Sequence, residues 1–393
     1  SWWGGSRSFL FGGSEEEMQR EIAQFSVHDA ERYSAFCAAS RRIYEDAILT
    51  AGNQPFTRLI DFLRLLPRML QLDALRSVNS FIERFFQDPR VQQAFSFHPL
   101  FIGGDPFRVP AVYAALAYLQ LAGGVWYTPG GVYSVIQALE EVIRSGGGEI
   151  ITGCQVTEIL RGGDRVCGVR LAGAEELPAE IVISNVDGAQ TRAMAGLAPR
   201  RQRMSMSSFL LYFGVDRKFP SLHHHNLLVG PDYRGFIRQV TKLRQLPETT
   251  CLYLHAPSRT DSTMAPAGGE SISVLLPVPN LQGPASWPEA GDELRDRVLD
   301  AFESVEGLGL QGFRKSIVLE RRWTPLDFRD QLGAEAGNAF GPEPLLWQSA
   351  YFRQPNRYCS PRGLYQVGAH THPGAGIPGV LLTAKVTADL ITG

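Results

Sequence analysis

The stretch "GLYQVGAHTHPGAGIPGVLLTAKVTADLI", Gly363 to Ile391, decides the fold. Its first apolar residues read as a strand that ends at Val367-Gly368, a glycine-rich turn follows, and a helix begins near Pro378. Gly374, Gly376 and Gly379 carry no side chain to hold a ligand off, so the backbone can approach a flat molecule closely. The first N–H groups of a helix have no partner within it and lie at its positive end, so they can face an electron-rich edge. Strand, turn and helix in this order suit an α/β domain.

Working outward, Tyr127 to Asn185 supplies elements for the same domain. After Pro129-Gly130-Gly131, the residues Val132, Val135, Ile136, Leu139, Val142 and Ile143 define one helical face, which Ser145-Gly146-Gly147-Gly148 ends. Short β-branched runs follow at Glu149 to Thr152, Val156 to Leu160, Val166 to Leu171 and Ile181 to Ser184. Gly162-Gly163-Asp164 and Ala172-Gly173-Ala174 mark turns between them. Residues 205 to 280 alternate apolar and polar, as in "SSFLLYFGV" and "CLYLHA", which predicts a separate, largely antiparallel sheet. Helices are expected over 14–50, with Ser14 as cap, and again from Asp292 to Val305.

Pro55 to Val78 carries Phe56, Leu59, Ile60, Leu63, Leu66 and Leu70 on a helical stripe, with Arg58, Arg64, Arg68 and Arg76 outnumbering Asp61 and Asp73. Two readings stand: a helix packed on the core, or a basic amphipathic segment lying in a bilayer interface. Pro67 predicts a break into two shorter helices.

Composition sets the outer limits. The 393 residues, 44% apolar and 20% charged, can bury a large core and divide into two or three domains. A formal net charge of −2 gives no basic footprint for nucleic acid. The five cysteines are scattered without CxxC spacing, which fits a reducing interior better than a disulfide framework or zinc site. No apolar run is long enough for a membrane-spanning helix, and Ser1-Trp2-Trp3-Gly4-Gly5 has no signal-peptide order. An opening without methionine reads as a fragment or a trimmed product. No metal site is expected: adjacent residues of the run His223-His224-His225 point in different directions in helix or strand, so the run reads as a polar loop. GxSxG and P-loop patterns are absent, leaving hydrolase and NTPase readings without support.

The C-terminal stretch resembles the flavin-binding signature of bacterial-type phytoene desaturases and related carotenoid desaturases. "AFSFHPLFIGGDPFRVPAVYAAL" (Ala94–Leu116), "GGVWYTPGGVYSVIQAL", "LYLHAPSRTDSTMAP" (Leu252–Pro266) and "TPLDFRDQLGAEAGNAFGPEPLLWQSAYFRQPNR" (Thr324–Arg357) agree with the same family in consistent order. That family opens with a βαβ unit bearing GxGxxG, which holds the FAD pyrophosphate on a helix N-terminus. Gly4-Gly5 and Gly12-Gly13 lack both the preceding strand and the spacing. The resemblance therefore predicts a chain without that N-terminal unit, binding FAD weakly or not at all. His370 stands where relatives tend to carry glycine; its side chain would either crowd the cofactor or point outward.

The resemblance implies an α/β fold with an incomplete Rossmann-like FAD-binding domain, an antiparallel-sheet substrate domain and a helical domain facing the core or a membrane. Expected boundaries are 1–126 for the helical region, 127–195 with 358–393 for the FAD-binding domain, and 196–357 for the substrate domain. It further implies desaturation of a C40 precursor such as phytoene, with electrons passed through FAD to oxygen or a quinone, at the cytoplasmic surface of a membrane. A carotenoid isomerase, a retinol-saturase-like enzyme and a flavin-free, non-catalytic fragment are the alternatives. Cofactor-binding candidates are Val156, Gly368, Ala369, Ile377, Pro378, Gly379 and Val380, with Asn185 and Asp187 near the phosphate or ribose or simply in a turn. Asp105 and Arg108 are the only Asp, Glu, Lys or Arg residues from Val91 to Trp126. They read either as an ion pair tying a loop or as polar groups at the reaction centre, because buried charges are rare without a partner. His372 reads as a turn histidine or as a base.

Overall fold

The computed structural model describes residues 8–304 and 308–393, with the backbone of Trp2 and Trp3. Local sequence explains most element boundaries. Helix α1 (Glu15–Ala23) begins at a capping box, with the Ser14 hydroxyl accepting from Glu17 N–H and the Glu17 carboxylate accepting from Ser14 N–H at 2.7 Å. Helix α2 (Val27–Ile43) restarts at Ser26, whose side chain caps Asp29 N–H. Pro67 lies in the first turn of α4 (Leu66–Gln71), separated from α3 (Leu59–Leu63) by the break that proline imposes.

The chain forms two compact units. The first comprises Ser1–Leu10, Val125–Gly153 and Ser208–Leu326. Its sheet holds β1 (Trp2–Trp3), β6 (Ser207–Val215), β7 (His225–Val229), β8 (Leu252–His255), β9 (Glu270–Val278) and β10 (Ile317–Trp323), in the order β1-β7-β8-β9-β6-β10. The β7–β8, β8–β9 and β6–β10 pairs are antiparallel, as the alternating pattern predicts, and β1 joins β7 in parallel. Phe209, Leu211, Phe213, Leu254, Ile272 and Val274 are buried, as are Leu294, Val298, Leu299 and Phe302 of α7 (Trp287–Ser304). Full burial of side chains this size stabilises by roughly 1.5–3 kcal/mol each.

The second unit comprises Phe11–Gly124, Cys154–Ser207 and Asp327–Gly393. An antiparallel meander of β2 (Val156–Gly162), β3 (Arg165–Leu171) and β4 (Glu176–Pro178) accompanies a parallel pair, β5 (Val182–Ser184) with β11 (Leu364–Gln366). Ile159, Val166, Ala195, Tyr358 and Leu364 form a common core, so segments nearly 200 residues apart in sequence fold together. Helix α6 (Gly188–Met194) follows β5 and α8 (Ile377–Thr392) follows β11. Tyr33, Phe36, Phe81, Phe86 and Phe95 fill the helical part.

Three features differ from the sequence reading. Residues 149–152 form no strand: glycines flank them and among the described residues no strand pairs with them. Helix α5 (Tyr133–Ser145) groups with the antiparallel sheet, and its apolar stripe, Val135, Ile136, Leu139, Val142 and Ile143, is exposed. The helical residues 11–124 belong with β2–β5 and β11 in one unit.

Candidate functional site

The site grows from the β11–α8 connection. β11 lies parallel to β5 with Leu364 opposite Val182 and Gln366 opposite Ser184, and Val367 N–H continues the ladder to Ser184 O at 3.0 Å. Two threonines one turn apart fasten α8 to this strand. Thr383 Oγ1 accepts from Gly368 N–H at 2.8 Å, and Thr387 Oγ1 donates to Gln366 O at 3.3 Å. The buried Gln366 also accepts from Tyr358 OH at 2.8 Å. The helix start is therefore held rigidly at the end of the strand.

Between them runs Gly374-Ala375-Gly376-Ile377-Pro378-Gly379, whose glycines have GxGxxG spacing. Each performs a separate task. Gly374 turns the chain at φ +129°, and a Cβ there would lie 2.9 Å from Arg353 Nη2. Gly379 lets the helix close on the turn, since its Cβ would meet Gly374 O at 2.6 Å. Gly376, at φ +92°, has open space: the nearest atom to an added Cβ is Ile102 Cγ2 at 3.9 Å. In dinucleotide-binding turns the three glycines likewise divide into turn, ligand approach and helix packing. The sequence reading took these glycines for their backbone freedom and missed the spacing.

Of the residues singled out as cofactor-binding, Gly368, Ala369, Ile377, Pro378, Gly379 and Val380 share this turn and helix start, with Ile377 and Pro378 exposed. Val156 opens β2 opposite Leu171. Among the described residues no hydrogen bond joins it to the turn. Arg353, which the sequence reading passed over, is buried, donates from Nη1 to Ala369 O at 2.6 Å, and keeps Nε without a partner. The turn thus sets an open glycine and a helix N-terminus beside a buried arginine, groups of a kind that suit the electron-rich edge of a flavin nucleotide.

Asp187 and His370 are committed elsewhere. Asp187 caps α6 through Ala189 N–H at 2.8 Å, accepts from Glu335 N–H at 2.9 Å, and lies 3.0 Å from His370 Nε2. Burial opposes its charge, yet the His370 contact and these N–H groups hold its pKa below the usual value. The His370 ring thus turns to Asp187. His372 donates from Nε2 to Ala51 O at 3.1 Å, and its ring meets Phe56 edge-on at 4.7 Å. Burial pushes its pKa down to about 4, and the geometry is that of a turn histidine.

Asp105 and Arg108 lie on a loop wedged beside the turn. A Cβ at Gly103, where φ is +72°, would stand 2.7 Å from both Phe340 Cβ and Ser205 Cβ. Ile102, next to this loop, is the neighbour of Gly376. The buried Asp105 carboxylate accepts from Phe107 N–H at 2.9 Å. Arg108 Nη1 pairs with Glu343 Oε1 at 3.2 Å, and Arg203 Nε pairs with Glu343 Oε2 at 2.5 Å. The loop is tied, but by a carboxylate 235 residues away, which sequence spacing cannot reveal.

Residues 50–392 match the model of the flavin containing amine oxidoreductases. A solved oxidoreductase from Methanosarcina mazei shares the fold, with a TM-score of 0.58 at 18% identity over 85% of this chain and 72% of that one. Within this class, the chain is 38% identical over 400 residues to a lycopene-forming phytoene desaturase of Pseudescherichia vulneris, covering 99% of this chain and 81% of the relative. It is 36% identical to a neurosporene-forming phytoene desaturase of Rhodobacter capsulatus (96% and 75% covered) and 34% identical to a zeta-carotene-forming phytoene desaturase of Myxococcus xanthus (95% and 74%). The chain belongs to the phytoene desaturase family of flavin-containing amine oxidoreductases.

Proposed function

We infer that the chain acts as an FAD-dependent desaturase on a phytoene-like polyene. The observation that carries this reading is the identity of 38% to a phytoene desaturase across 99% of the chain, including the strand–glycine turn–helix at its C-terminus. Each double bond requires removal of a hydride and a proton from adjacent carbons. Bound FAD supplies the hydride acceptor that no side chain offers. The helix start at Ile377 and Gly379, the open face of Gly376 and the buried Arg353 Nε would hold the flavin, with Val156 on the adenine side. Asp105 is proposed to take the proton, with Arg108 held in place by Glu343. Oxygen or a quinone would reoxidise the flavin.

Substrate access is proposed from a membrane surface. Among the described residues no helix is long and apolar enough to cross a membrane. On α3 and α4, Leu59, Ile60, Leu63 and Leu70 are exposed, whereas Phe62 is buried against Phe352 at 5.3 Å. Arg58, Arg64 and Arg68 are more than half exposed beside them. An apolar stripe bordered by cations supports peripheral docking to anionic lipid, worth roughly 1 kcal/mol per basic residue. The protein supplied with FAD and phytoene in anionic vesicles should produce polyenes absorbing at longer wavelength than phytoene, and an unchanged polyene spectrum despite bound flavin would contradict the reading. Replacing Arg58, Arg64 and Arg68 with glutamine should lower vesicle co-sedimentation at low salt by roughly 10- to 100-fold in affinity, with unchanged circular dichroism. Equal co-sedimentation would remove this surface as the docking site.

A further inference from the structure

Of the run His223-His224-His225, expected as a polar loop, His223 and His224 lie in the loop before β7 and His225 enters the strand. His225 is the first residue of β7 and stands directly opposite His255, the last residue of β8, in antiparallel register. Directly opposed residues project to the same face of a sheet. His224 lies in a bend just before β7, so its ring is freed from strand alternation and swings toward the same place. One ring nitrogen from each of His224, His225 and His255 falls within 4.8 Å of the others.

The remaining ring nitrogens are held by hydroxyls. His224 Nδ1 lies 2.6 Å from Thr260 Oγ1, His225 Nδ1 lies 2.7 Å from Tyr253 OH, and His255 Nδ1 lies 3.5 Å from Ser273 Oγ. Anchoring one nitrogen orients the ring, as the outer partners of metal-binding imidazoles do. His224 Nε2 and His255 Nε2 already face each other at 2.9 Å. Two imidazoles sharing a metal at about 2.0–2.1 Å in tetrahedral geometry stand roughly 3.3 Å apart, so this pair must open by only a few tenths of an ångström. The exposed His225 ring closes the wider gap by moving toward the other two, giving up its contact with Tyr253 OH as it does so.

We propose that His224, His225 and His255 form a binding site for a divalent transition metal, separate from the flavin chemistry. Three neutral imidazoles without a carboxylate select zinc, cobalt, nickel or copper ions over the hard magnesium and calcium ions, which require oxygen ligands. The exposed side of His225 leaves the fourth coordination position to water. Bound there, the metal clasps the start of β7 to the end of β8.

The test titrates the untagged, chelator-treated full chain with Co²⁺ and follows the visible d–d absorption of tetrahedral cobalt. One equivalent should give a saturable band, unaffected by excess Mg²⁺. His225→Ala, at an exposed position that the fold tolerates, should weaken binding on the order of 100-fold, and His255→Asn should do the same with an unchanged melting profile. His223→Ala should bind as the parent does. Absence of a saturable band, or parental affinity in both His225→Ala and His255→Asn, would overturn the site.

Discussion

Replacing Gly376 with valine is expected to abolish FAD binding while leaving the protein folded. An added Cβ meets nothing closer than Ile102 Cγ2 at 3.9 Å, so the side chain enters the space through which a flat ligand must approach the helix start. The backbone at φ +92° disfavours a side chain by roughly 1–3 kcal/mol, a cost that a protein of this size can carry. Titration with added FAD, followed by quenching of its fluorescence, should show affinity reduced about 10-fold in Gly376→Ala and more than about 100-fold in Gly376→Val. Gly379→Ala shows what strain in the turn does: its Cβ would strike Gly374 O at 2.6 Å, so thermal stability should fall together with FAD binding, whereas Gly376→Val should lose binding without a comparable fall in stability. Parental affinity in Gly376→Val would mean that the flavin approaches elsewhere.

Acid should destabilise the protein well before its carboxylates titrate, and His98 should account for a measurable share. The ring is buried, stacked on Phe97 at 4.4 Å, and Nε2–H donates to Gln120 Oε1 at 2.8 Å. Burial lowers its pKa from 6.5 to about 4. A depressed histidine favours the folded state fully above its unfolded pKa, and that contribution is lost as pH falls from about 6.5 toward 4. The displacement corresponds to roughly 3 kcal/mol across that window. His372, also lowered to about 4 by burial, acts in the same direction. Denaturant unfolding at pH 7 and pH 4.5 should show a steep loss for the parent and a loss smaller by about 2–3 kcal/mol for His98→Gln. An identical pH dependence in the two proteins would contradict this assignment.

Sequence exposed those parts of the fold that depend on local chemistry. β2, β3 and β5 were legible because β-branched runs alternate with glycine turns, and α8 because Pro378 and Gly379 mark a helix start. The antiparallel sheet was legible from alternation in β6 and β8. Features that depend on distant pairing were not. Arg108 finds its partner at Glu343, and the histidine cluster needs the register between β7 and β8. The segment 149–152 has strand-forming residues, but among the described residues no strand pairs with it. At the site, the turn residues 368–380 were recognised from their type, whereas Arg353 was not, because an arginine aimed at a glycine turn is defined by three-dimensional packing alone.

The central claim is that this chain positions a flavin to remove hydrogen from a polyene. Anaerobic mixing of the protein, supplied with FAD, with phytoene-loaded vesicles measures it most directly. The flavin band should bleach with one new carbon–carbon double bond formed per flavin, and Gly376→Val should show neither change. A bound flavin that keeps its full absorbance in the presence of phytoene would contradict the account.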